Sequence, residues 1–135
     1  MTLDAAMRDA LFNAARNVRA RAHCPYSGFK VGAAVLDEQG RVHVGCNVEN
    51  AAYPEGTCAE AGAIAAMVAA GGRRIEAILV MGDAPEPVTP CGGCRQKIRE
   101  FADADTRLLA ASPEAVQFDE PFSAFLPRSF GPGHL

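Results

Sequence analysis

Apolar and polar positions follow two different rhythms along this chain. Leu3, Ala6, Met7, Ala10, Leu11, Ala14 and Val18 recur at helical spacing, while Arg8, Asp9, Arg16 and Arg19 fall elsewhere. The pattern predicts an amphipathic helix over residues 2 to 21 that covers one face of a sheet. After a turn-rich link, CPYSGF (Cys24 to Phe29), the rhythm changes. KVGAAVL, then DEQG, then RVHVGCNV reads as two strands joined by a tight turn, a hairpin over residues 31 to 48.

The loop NAAYPEG leads to Thr57, and small apolar residues then run from Cys58 to Ala70 and stop at Gly71 and Gly72. Such a helix is apolar nearly all round and belongs at the centre of the molecule. RIEAILVMG, from Arg74 to Gly82, is dense in β-formers and predicts a buried strand, followed by the loop DAPEPVTP. Thr89 is placed to cap, and Pro90 to open, another helix running through about Ala102. TRLLAA, Thr106 to Ala111, predicts a fourth strand and AVQF, Ala115 to Phe118, a short fifth; FSAFLPRSFGPGHL reads as a helical turn and an irregular tail. The order α, β, β, α, β, α, β, β implies an α/β fold, a mixed sheet layered with helices, with parallel crossovers in the middle.

Composition narrows the possibilities. The length of 135 residues suits one domain, residues 1–135. A formal net charge of −3 with scattered Lys and Arg offers no basic stripe, which disfavours a polynucleotide partner. Asp4, Arg8, Asp9 and Arg16 interrupt any secretory leader, and the longest apolar run, Ala61 to Gly72, is too short to cross a bilayer. Five cysteines, Cys24, Cys46, Cys58, Cys91 and Cys94, are an odd number without an export signal, so reduced thiols in a cytoplasm are expected and a metal becomes attractive.

The chemistry concentrates in two short stretches. Cys91 and Cys94 stand in PCGGC at a helix start, and Cys58 opens the apolar helix. If the two helix N-termini are neighbours, three thiols converge where the positive dipole ends favour thiolates, and three protein ligands leave zinc one open position. Glu60, two residues after Cys58, then has two readings. With Thr57 it fits a capping box; beside a metal ligand it serves as a carboxylate that moves protons for a metal-activated water. Cys91 and Cys94 alone also fit a redox dithiol, and a structural zinc would draw a fourth ligand from His23, Cys24, His43, Cys46 or His134.

CPYSGFKVGAAVL, GCNVENAAY, TCAE, TPCGGCRQ and LPRSFGP, in that order, resemble the motifs of the small, homotetrameric, three-cysteine cytidine deaminases over roughly residues 24 to 132. The resemblance implies a three-layer α/β/α fold with a mixed five-stranded sheet, one Zn2+ per subunit on Cys58, Cys91 and Cys94, and Glu60 as proton shuttle. It further implies Asn47 and Glu49 on the ribose hydroxyls, Phe29 against the pyrimidine, the Ala59 backbone reading the base, and Phe130 reaching a neighbouring subunit's pocket. Tyr53 falls in a loop that similar enzymes use at the subunit boundary.

The implied reaction is hydrolytic deamination of cytidine and 2′-deoxycytidine, with release of ammonia, in pyrimidine salvage. A deaminase of a modified, blasticidin-type cytosine nucleoside is the runner-up, and a non-catalytic zinc or redox protein the rival from another class. Many relatives read C-A-E-R, whereas Ala61 follows Glu60 in this chain. Three thiolates around one divalent cation leave a formal charge of −1. The helix N-termini, backbone donors near Gly92 and Gly93, and Arg95 are the candidates to offset it, unless Arg95 faces outward.

Overall fold

The computed structural model describes residues 3 to 135; Thr2, included in the helical pattern above, lies outside them. Eight principal elements follow in the expected order. They are α1 (Ala5–Arg19), β1 (Gly32–Asp37), β2 (Val42–Cys46), α2 (Ala59–Ala69), β3 (Ile75–Met81), α3 (Gly92–Arg99), β4 (Arg107–Ala111) and β5 (Val116–Pro121). The sheet order is β2-β1-β3-β4-β5. Only the β3/β4 pair is parallel, joined through α3 as the alternation of strand and helix predicts; the other three pairs are antiparallel.

Period-two alternation in the central strands divides the core. Ala34, Leu36, Leu79, Met81 and Leu109 face α1, which buries Leu11 and Ala15 against them. Ala33, Val35, Ile78, Val80 and Leu108 face the opposite layer, where Ala63, Ile64 and Met67 of α2 and Ile98 of α3 pack. The result is the expected three-layer α/β/α arrangement around a mixed five-stranded sheet.

Two helix starts differ from the sequence reading. Asp4 caps α1 by accepting from the Met7 amide at 2.8 Å, so the helix opens at Ala5. α3 opens at Gly92 with Cys91 as its N-cap, although Thr89 and Pro90 carry the stronger local signal. The reason is Arg95: its guanidinium donates to the Thr89 hydroxyl at 3.1 Å and the Pro90 carbonyl at 2.8 Å, which turns that segment into an approach loop. α3 also ends early, at Arg99, because the Phe101 carbonyl accepts from the Ile75 amide at 2.9 Å. At the other edge, β5 runs on through Asp119, Glu120 and Pro121. An edge strand tolerates proline, and Asp119 is neutralised by Arg107 and Arg8, each at 2.8 Å.

Candidate active site

The start of α2 is placed by its contact with β2. A methyl group on Gly45 would lie 2.3 Å from the Ala59 carbonyl oxygen and 2.4 Å from the Ala63 amide nitrogen, so the helix seats directly on the strand backbone. Gly62 faces the same contact from the helix side, where a methyl group would lie 3.3 Å from the Gly45 Cα. β3 and the loop that follows it deliver the start of α3 alongside.

Cys58 and Cys91 are thereby the N-caps of two adjacent helices, and Cys94 lies in the first turn of α3. The three sulfurs lie within 4.8 Å of one another, with Cys58 and Cys91 at 3.9 Å. Tetrahedral zinc with bonds of about 2.3 Å to sulfur sets its ligands about 3.8 Å apart, so the spacing fits that ion. All five cysteines are free thiols, and none of His23, Cys24, His43, Cys46 or His134 joins the cluster among the described residues. His43 pairs with Asp37 instead, and the His134 ring stacks on Phe130. The structural-zinc reading thus lacks a fourth ligand, and the dithiol reading leaves the third sulfur unexplained.

The thiols respond unequally to this crowding. Burial pushes Cys58 and Cys94 up, helped by the neighbouring sulfurs and the Glu60 charge. The Cys94 backbone amide, first among the causes, draws Cys91 below the usual thiol value. An uncompensated triple thiolate is therefore unfavourable here, whereas a divalent cation satisfies all three sulfurs together.

Glu60 is only 4% exposed. It does not form the capping box, since Cys58 occupies the N-cap position and makes no side-chain cap hydrogen bond. Burial raises its carboxyl above the ordinary range, opposed by its own backbone amide and by the Lys97 charge. An acid adjusted in this way suits proton transfer near neutral pH.

Cys58, Cys91 and Glu60 line a cleft of about 350 Å³, with Cys94 buried behind them. Its walls include Phe29, Asn47, Glu49, Ala59, Val80 and Val88, so four of the five expected substrate contacts sit together. Phe130 does not line it; the ring is 58% exposed, on a tail whose Phe130 carbonyl accepts from Gln96 at 3.0 Å. Tyr53 does border the cleft and meets the Tyr26 ring edge-on at 5.7 Å.

Asn47 and Glu49 also have structural duties that the sequence reading missed. The Asn47 amide group donates to the Phe29 carbonyl at 2.8 Å and accepts from the Val31 amide at 2.9 Å, fixing the entry to β1 and with it Phe29. Glu49 accepts from the Tyr26 and Ser27 amides at 3.0 and 3.1 Å and from the Ser27 hydroxyl. The Ser27 hydroxyl leads in holding the Glu49 carboxyl below its usual value. An amide and a carboxylate have more hydrogen-bonding positions than these bonds use, so each retains capacity for a ligand.

A family model described as the cytidine and deoxycytidylate deaminase zinc-binding region matches residues 6–110. The chain belongs to this family. The cytidine deaminase of Sporosarcina psychrophila is 37% identical over 122 residues, 90% of each chain. That of Halalkalibacterium halodurans is 39% identical over 123 residues, 91% of this chain and 93% of the relative. The crystal structure of cytidine deaminase from Burkholderia pseudomallei superposes with a TM-score of 0.85 at 38% identity, covering 96% of this chain and all of that one. As a member of a zinc-binding deaminase family, this chain has in its three convergent sulfurs a donor set suited to the metal.

Proposed function

We propose that this family member is a zinc-dependent cytidine deaminase, a single domain that converts cytidine and 2′-deoxycytidine to uridine and 2′-deoxyuridine with release of ammonia. The carrying observation is the convergence of Cys58, Cys91 and Cys94 beside a buried Glu60 along a nucleoside-sized cleft.

Zinc held by the three cysteines supplies Lewis-acid activation of the attacking water. Glu60 accepts the first proton that water gives up and delivers it to pyrimidine N3, then takes the second from the hydroxyl added at C4 and gives it to the exocyclic amine as the C4–N bond breaks and the C4 carbonyl forms. Phe29 packs against the base, the Ala59 backbone reads its polar edge, and Asn47 and Glu49 bind the ribose hydroxyls. The ionised Glu49 accepts from a sugar hydroxyl but repels a phosphate at the same place, which selects nucleoside over nucleotide.

The assembly belongs to the same reading. β2 is an edge strand with Val42 and Val44 exposed, Tyr53 is 75% exposed beside the cleft, and Phe130 projects from the tail. A homotetramer covers these surfaces and brings Phe130 to a neighbour's cleft. No helix among the described residues is long and apolar enough to cross a membrane. Five free thiols support a reducing, cytoplasmic setting, and the reaction itself suits pyrimidine salvage.

The test is loss of cytosine absorbance and release of ammonia from cytidine, 2′-deoxycytidine and cytidine 5′-monophosphate, with zinc content measured on the same sample. Turnover of both nucleosides, with little on the nucleotide, is expected. Zinc-loaded protein without turnover of either nucleoside contradicts the proposal.

A further inference from the structure

Loading the three-cysteine site, on the reading just given, exchanges three thiol protons for one divalent cation and leaves the site one unit more negative. Glu60, when ionised, adds a second negative charge beside it. Position 61 contributes no charge, being alanine, and the Arg95 guanidinium, which keeps its charge, spends its hydrogen bonds on Thr89, the Pro90 carbonyl and the Phe125 carbonyl. Helix N-termini supply partial charges only.

Lys97 is placed differently. It lies one turn after Gly93, and its side chain runs back along α3 toward the N-terminus, as long helical side chains do. Its Nζ stands 3.8 Å from where a Gly93 Cβ would be, over the C-G-G-C turn that carries two of the three sulfurs. Gly93 lies between Cys91 and Cys94, so an ammonium held at that place acts on their sulfurs through space.

We propose that Lys97 is a charge-compensating residue of the metal site: its ammonium, folded back over Gly93, offsets part of the net negative charge that zinc loading leaves on the three sulfurs. Lys97 thus acts on the site through space and touches neither metal nor substrate. Its exposure to solvent means that salt screens the effect.

The test titrates the metal-free protein with zinc against a chromophoric chelator, at low and at high salt, for wild type, Lys97→Met and Lys97→Arg. Lys97→Met is expected to weaken zinc binding roughly three- to tenfold at low salt, the size of one partly screened charge at this range. Lys97→Arg keeps wild-type affinity, and the gap between wild type and Lys97→Met closes at about 1 M salt. Equal affinity in Lys97→Met and wild type overturns the proposal. So does a loss that Lys97→Arg shares, or one that persists at high salt, since either indicates packing in place of charge. A wild-type chain that binds no zinc defeats the underlying zinc reading, a result distinguishable from these.

Discussion

Gly45 on β2 and Ala59 at the start of α2 meet backbone to backbone, with 2.3 Å between the Ala59 carbonyl oxygen and the position a Gly45 Cβ would take. Gly45→Ala therefore cannot be absorbed by a side-chain rotation; α2 must lift off the strand. A loss of about 3 kcal/mol or more in chemical denaturation is expected. Because the same helix start carries Cys58 and Glu60, zinc affinity falls as well. Gly133→Ala, with open space around it, is the control and leaves both unchanged.

Asp37 anchors the hairpin from a buried position. It accepts from the Arg41 side chain at 2.9 Å, the Gln39 and Arg41 amides at 2.8 and 3.0 Å, and pairs with His43 at 2.8 Å. Burial alone would raise its carboxyl, but these partners outweigh it and hold the group far below the ordinary value of 3.8. A depressed folded value means the stabilisation is complete above the unfolded pKa and disappears as pH falls toward the folded one. Asp37→Asn should cost about 2–4 kcal/mol at pH 7 and flatten the acid limb of stability against pH below about 4. Denaturant midpoints measured from pH 3 to 7 check both.

Zinc retention should fall with acid independently of folding. Cys58 and Cys94 are pushed up by burial, so protons compete for the sulfurs as pH drops, and binding must release them. Chelator competition between pH 5.5 and 8 should show affinity rising steeply with pH. Cys94→Ser should abolish tight binding throughout.

Phe130 carries a different expectation, because its ring is mostly exposed and stacks on His134, at 5.0 Å between centroids. Phe130→Ala should leave the subunit folded yet raise KM for cytidine by roughly three- to tenfold, as loss of the aromatic contact we propose in a neighbouring subunit's cleft requires. Unchanged KM would remove Phe130 from the site. Steady-state kinetics beside a thermal melt separate the two effects.

Much of this was legible in the residues. The strands follow from hydrophobic rhythm, because Ala33 to Leu36 and Ile78 to Met81 are buried between two helical layers, whereas α2, expected at the centre, lies in one of the outer layers with Ala65 and Ala69 exposed. The three sulfurs were foreseeable from C-x-x-C spacing at a helix start together with Cys58. The start of α3 was not, since Thr89 loses its capping role to Arg95, a contact formed only in the folded chain. Nor were the structural bonds of Asn47 and Glu49, which depend on how the 26–31 segment folds back. The sequence signal for them was Ser27 and Gly28 in a turn-rich link. The glycine contact between β2 and α2 was visible only as two glycines, Gly45 and Gly62, in otherwise regular elements.

X-ray absorption at the zinc edge of the loaded protein tests the central claim most directly. Three sulfur neighbours at about 2.3 Å and one oxygen or nitrogen neighbour at about 2.0 Å are expected, the signature of an open catalytic position held by Cys58, Cys91 and Cys94. Four sulfur neighbours, or fewer than three, would contradict it.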